Sequence, residues 1–145
     1  MRCVDVNVLV YASRDDADDH AAHRAWLDLA RRGPEPLGVP TAVASGFVRI
    51  VTHPRIFSTP TPLDAALGFL DVLHRSPAVE QVVPGPRHWS IFVDLCERIG
   101  ATGNQVPDAF LAAMAIEQGA TWVSADRGFG GYPHLRWLHP TDAMG

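Results

Sequence analysis

Short β-branched runs alternate with segments of helical periodicity along the whole chain, and this alternation limits the possible folds more than any other feature. Cys3 to Val10 is such a run, broken by Asp5 and Asn7. It reads as a short buried strand that ends near Asp5 and feeds a helix through Tyr11. Behind Asp15, Asp16, Asp18 and Asp19, the segment Ala21–Arg32 places Trp26, Leu29 and Ala30 at helical spacing, and Gly33–Pro34 closes it. Leu37–Val39 reads as a second strand, Thr41 as the cap of a helix running to about Thr52, and Leu63, Leu67, Leu70 and Leu73 as the stripe of another helix. Val79–Val83, Thr121–Ser124 and Leu135–Leu138 complete the strands. Between Val79–Val83 and Thr121–Ser124 lie two helices, marked by Trp89, Phe92, Val93, Cys96 and Ile99, and by Phe110, Leu111, Met114 and Ala115 behind Pro107. Strands alternating with helices imply an α/β fold with a mostly parallel sheet. The connection from Ser58 to Pro62 is too short to divide domains, so residues 1–145 are expected to form one domain.

Composition then removes whole classes of function. All 12 positive side chains are arginines and no lysine is present, against 16 acids and a net charge of −4. A strongly basic, sequence-blind nucleic-acid coat is excluded, and so is any mechanism that needs a lysine. An apolar share of 47% is too high for a disordered regulator. Cys3 and Cys96 are far apart, with no second thiol at metal-ligand spacing, so a reduced cytoplasmic protein is expected. No basic-then-apolar leader opens the chain, and no apolar stretch approaches the roughly 18 residues of a membrane span.

In parallel α/β sheets, sites gather outside the carboxyl ends of the strands. Asp5 interrupts one apolar strand, Asp126 follows another, and Asp108 opens a helix whose next turns are nearly all apolar. Taken alone, Asp108 could simply favour its helix start and Asp126 an ordinary turn. Converging, the three carboxylates repel one another unless a cation offsets them. Hard oxygen ligands, with Asn7, Asn104 and Ser124 nearby, suit Mg²⁺ or Mn²⁺, and such a site fits phosphodiester hydrolysis. His20 and His23 read as a solvated helix start and stay outside the metal site. Arg49, His53, Arg55 and Arg127 are candidate contacts to an RNA backbone, with pairing to local acids as the alternative. Trp26, Trp89, Trp122 and Trp137 fall at apolar-periodic positions and read as packing residues. Gly128–Gly131 reads as a flexible loop, and Glu117, half a helical turn round from Asp108, faces away from the site.

Phosphatases of the haloacid dehalogenase type and receiver domains also place aspartates at a strand end, but both use a lysine near the phosphoryl group, which this chain lacks. The stretches Val4–Ala12, Gly103–Ala115 and Thr121–Phe129 resemble instead the PIN-domain ribonucleases. More narrowly they resemble the VapC toxins of bacterial toxin–antitoxin pairs, in a branch with Ser-Gly-Phe-x-Arg-Ile-Val-Thr-His-Pro-Arg, here Ser45 to Arg55. The likeness spans about residues 2–140. It implies a PIN-like three-layer fold with a central parallel sheet in the order 3-2-1-4-5, Mg²⁺- or Mn²⁺-dependent endoribonuclease activity, neutralisation by a VapB-type antitoxin, and a homodimer. It assigns Asp5, Asp108 and Asp126 as metal-binding carboxylates, supported by Asn7, Asn104 and Ser124. The family commonly supplies a Glu from its third helix, whereas Thr41–Arg49 contains no acid, so Ser45, or else Gly46, takes that place and a single Mg²⁺ is the economical expectation. A catalytically weak PIN-like RNA- or partner-binding module is the alternative.

Overall fold

The computed structural model describes residues 1–142. Its elements, in chain order, are β1 (Arg2–Val4), α1 (Val6–Ser13), α2 (His20–Ala30), β2 (Leu37–Pro40), α3 (Thr41–Val51), α4 (Leu63–His74), β3 (Val79–Val82), α5 (His88–Ile99), α6 (Gln105–Glu117), β4 (Thr121–Val123), a 3-10 turn (Arg127–Gly131) and β5 (Arg136–Leu138). The strands form one sheet in the order β3-β2-β1-β4-β5, with every neighbouring pair parallel. Cys3 stands between Gly38 and Trp122, and Val123 pairs Leu138. Connections leave β1 toward one edge of the sheet and β4 toward the other. The switch point therefore falls between these two strands, where a crevice opens at their carboxyl ends.

β1 and β4 run through the core as short apolar segments, with Cys3, Val4, Trp122 and Val123 fully buried. Gly38 lies in β2 because nothing larger fits there. A Cβ on it would stand 2.8 Å from both the Cys3 sulfur and a Val82 methyl. Around the sheet pack Leu9, Phe47, Leu73, Leu95, Met114 and Phe129, all buried. At about 25 cal/mol per Å² of apolar surface, this burial is the main term holding the layers together.

The first strand ends beside Asp5 and passes into a helix as expected: it stops at Val4, and Asp5 caps a helix that starts at Val6. Val6, Val8 and Val10 are helical despite their β-branching, since packing against the core outweighs a small propensity difference. Other expected boundaries move. Thr41 is the first helical residue of α3, not its cap, and Pro40 ahead of it makes no side-chain capping bond. In α4 only Ala66, Leu70 and Leu73 are buried, whereas Leu63 and Leu67 stand exposed. Trp89 is 66% exposed and is no core residue, while Trp26 and Trp122 are buried as expected. His23 is buried rather than solvated, its Nδ1 bonded to the Asp19 carbonyl at 2.9 Å. Gly128–Gly131 belongs to the 3-10 turn, and Glu117, turned from the site as expected, accepts the Gly85 and Arg87 amides at 2.7 and 2.8 Å.

Candidate active site

Asp5 leaves β1 and begins α1, so its carboxylate sits at the switch point with only 4% of the residue exposed. Its Oδ1 accepts the Val6 amide at 2.7 Å and its Oδ2 accepts the Ser124 hydroxyl at 2.7 Å. Ser124, fully buried just past β4, is the hub of the network. Its Oγ also accepts the Asp126 amide at 3.0 Å and the Asn7 side-chain amide at 3.1 Å. Asn7 closes the ring by accepting the Ala125 amide at 3.0 Å. One hydroxyl thus orients the ends of both central strands, and Asp126 folds back to accept the Gly128 amide at 2.9 Å.

Burial pushes the Asp5 carboxyl up from 3.8 to about 6; the Ser124 and Val6 hydrogen bonds oppose this, and the charges of Asp108 and Asp126 add to it. Asp108, in the first turn of α6, is likewise raised, by burial and then by Asp126. The three aspartates therefore share one region of negative potential. Among the described residues, however, no three His, Cys, Asp or Glu side chains close into a ready-made metal cage. Such a donor set fits a hard divalent ion that keeps water ligands, as Mg²⁺ does, better than a fully protein-enclosed ion.

The other expected site residues divide. Asn7 and Ser124 join the network, while Asn104 stands exposed ahead of α6 with no side-chain capping bond. From α3, Gly46 and not Ser45 faces the site. Gly46 lines a groove of about 590 Å³ with Val6, Arg49, Phe92 and Asp108, and a Cβ on it would meet only a Val6 methyl, at 3.7 Å. Ser45 is one residue round the helix, exposed and off that face. Arg49 reaches the groove, Arg55 is exposed beyond the end of α3, and Arg127 pairs with Asp142 at 3.4 Å. Sequence reasoning missed Tyr132, whose phenol is raised to about 12 by burial and by the charges of Asp108 and Asp126. No local motif marks it, because its relation to the site is set by a turn that ends six residues beyond Asp126.

The parallel sheet gathers carboxylates at its β1/β4 switch point, and the PIN domain family model matches residues 2–135. The chain is 49% identical over 144 residues to VapC ribonuclease Mb2897 of Mycobacterium bovis, covering 99% of this chain and 98% of that protein. It is 36% identical over 140 residues to ribonuclease VapC25 of Mycobacterium tuberculosis, covering 97% and 99%. Among solved structures, VapBC2 from Rickettsia felis bound to a promoter DNA fragment matches with a TM-score of 0.71 at 18% identity, covering 95% of this chain and 97% of that one. VapBC-1 from nontypeable Haemophilus influenzae matches at 0.67 and 13%, covering 97% and 98%. The chain belongs to the PIN-domain family, and its full-length relatives place it among the VapC ribonucleases.

Proposed function

We propose that this chain is a Mg²⁺-dependent endoribonuclease, with Mn²⁺ as a substitute, and the toxin of a VapBC-type pair. The observation that carries the reading is the hydrogen-bonded ring of Asp5, Ser124, Asn7 and Asp126 facing Asp108, a region where burial first, and then neighbouring carboxylate charge, holds the Asp5 and Asp108 carboxyls above their ordinary value. Asp5, Asp108 and Asp126 would hold the ion, which when bound supplies positive charge toward a phosphodiester and a more acidic water. Ser124 and Asn7 hold Asp5 in one orientation by donating to its Oδ2, and Oδ1, which accepts only the Val6 amide, keeps a lone pair free. The buried floor beneath Asp5 excludes bulk water, which strengthens each charge interaction there. No side-chain nucleophile is required, and Arg49, on the groove shared with Asp108, is placed to meet an RNA phosphate.

The partners in this reading are RNA, a cognate VapB-type antitoxin and a second copy of the chain, with residues 1–145 as one PIN domain acting in the cytoplasm. The relatives' names support RNA as the substrate, and the VapBC complexes among the structural neighbours support a VapB-type partner. Among the described residues, no helix is long and apolar enough to cross a membrane. Cleavage of a structured RNA is expected to stop in chelator and return with Mg²⁺ or Mn²⁺; cleavage that persists in chelator would overturn the metal role.

Gly46 favours a second reading, a weakly catalytic RNA- or partner-binding module, because α3 brings no carboxylate to the groove. Gly46→Glu separates the two. The position has room, so the variant is expected to bind Mn²⁺ about 3–10-fold more tightly in calorimetry and to cleave faster. Ser45→Glu, off that face, is the neutral comparison. RNA binding by the native chain with no cleavage at any metal concentration would favour the module.

A further inference from the structure

We propose that Tyr132 is a positioning residue for this site: its hydroxyl ties the turn that carries Asp126 to the first turn of the helix that carries Asp108, and so holds two mutually repelling carboxylates at a set separation. The inference rests on reading Asp108 and Asp126 as ligands of one ion.

The geometry is a strut with two anchored ends. Asp126 opens the 3-10 turn and accepts the Gly128 amide, while Tyr132 ends the turn and donates its amide to the Phe129 carbonyl at 3.2 Å. The Tyr132 ring stacks on Phe129 at 5.3 Å, and Phe129, itself buried, lies edge-on to Trp122 of β4 at 5.7 Å. This fixes the ring to the sheet. Its hydroxyl then reaches across and donates to the Gln105 carbonyl at 3.4 Å, three residues ahead of Asp108. Among the described residues, no other hydrogen bond joins that turn to α6.

Such a strut has a job because two carboxylates aimed at one ion repel each other until the ion arrives, and that repulsion pushes the turn and the helix apart. A phenol suits the role. Held near 12 by burial and by the same two aspartates, it keeps its proton and remains a donor throughout the working pH range. Ligands held near their binding separation before the ion arrives cost less to organise, and removing a group that orients ligands typically weakens metal binding by about 10–100-fold.

Tyr132→Phe in the full chain is the test, because it keeps the stack on Phe129 and removes only the hydroxyl. Titrated with Mn²⁺ alone in a calorimeter, the variant is expected to bind about tenfold more weakly, with a melting temperature close to that of the native chain. RNA cleavage is expected to fall at limiting Mn²⁺ and to recover at saturating Mn²⁺. An unchanged Kd for Mn²⁺ overturns the proposal. A loss of kcat that saturating Mn²⁺ does not restore also overturns it, since the hydroxyl would then act on the RNA. A native chain that binds Mn²⁺ yet cleaves no RNA overturns the nuclease reading alone, and the comparison of Kd values still decides the role of Tyr132.

Discussion

Asp5→Asn is expected to lower RNA cleavage by about 10²–10³-fold or more and at the same time to raise the melting temperature of the metal-free protein at neutral pH. The two effects share one cause. Folding moves the Asp5 carboxylate out of water and beside Asp108 and Asp126, which lifts its pKa from 3.8 to about 6. A carboxyl that holds its proton more tightly folded than unfolded costs the folded state stability as pH rises from about 4 to 6, and the deficit persists above that window. Two units correspond to about 2–3 kcal/mol, an upper figure because an amide reproduces the Ser124 hydrogen bond imperfectly. The expected gain at pH 7.5 is therefore about 3–8 °C, shrinking steeply toward pH 4 and vanishing below about pH 3, where the native carboxyl is protonated in both states. Saturating Mg²⁺ should reverse the order by stabilising only the native chain, by about 2.7 kcal/mol at a hundred times its Kd. Thermal melts at two pH values, with and without Mg²⁺, check all of this. A lower melting temperature for the variant at pH 7.5 without metal would show that the Asp5 charge carries no folding cost.

Ser124→Ala is expected to cost about 1–3 kcal/mol of stability and about 10–100-fold in cleavage, although Ser124 is no ligand in the proposed site. Its Oγ is fully buried and bonds Asp5, Asp126 and Asn7 together, so truncation leaves the Asp126 amide and the Asn7 side chain each short of a partner. It also removes the hydrogen bond that lowers the Asp5 carboxyl. With that bond gone, the Asp5 pKa rises further, and the acidic limb of the pH–rate profile should move to higher pH. A profile that falls in amplitude without moving would mean that Ser124 supports the backbone of the site but does not tune Asp5.

The strand–helix alternation was legible because each element announces itself locally: Gly33 and Gly100 end helices, Pro107 enters the first turn of α6, and Leu37–Pro40 is buried throughout. The errors also have local causes. Trp89 and Leu67 keep apolar spacing on helices whose outer faces remain uncovered in this chain. Of the proposed site, Asp5, Asp108 and Asp126 stand out in the sequence because each is a polar exception at the edge of an apolar segment. Choosing Gly46 over Ser45 required the rotation of α3 about its axis, which a run such as Ala42–Val48 leaves open.

By itself, then, the sequence determined the layer architecture, the acidic character of the site and the absence of lysine chemistry, since periodicity and residue type are properties of neighbours along the chain. Only the tertiary structure decided that Ser124 binds Asp5 and Asp126 together, that Gly46 faces the groove, and that Tyr132 spans from the Asp126 turn to α6. Tyr132 and Gln105 are 27 positions apart and Ser124 and Asp5 are 119 apart, and the second pair meets only because parallel pairing of β1 with β4 brings two strand ends side by side.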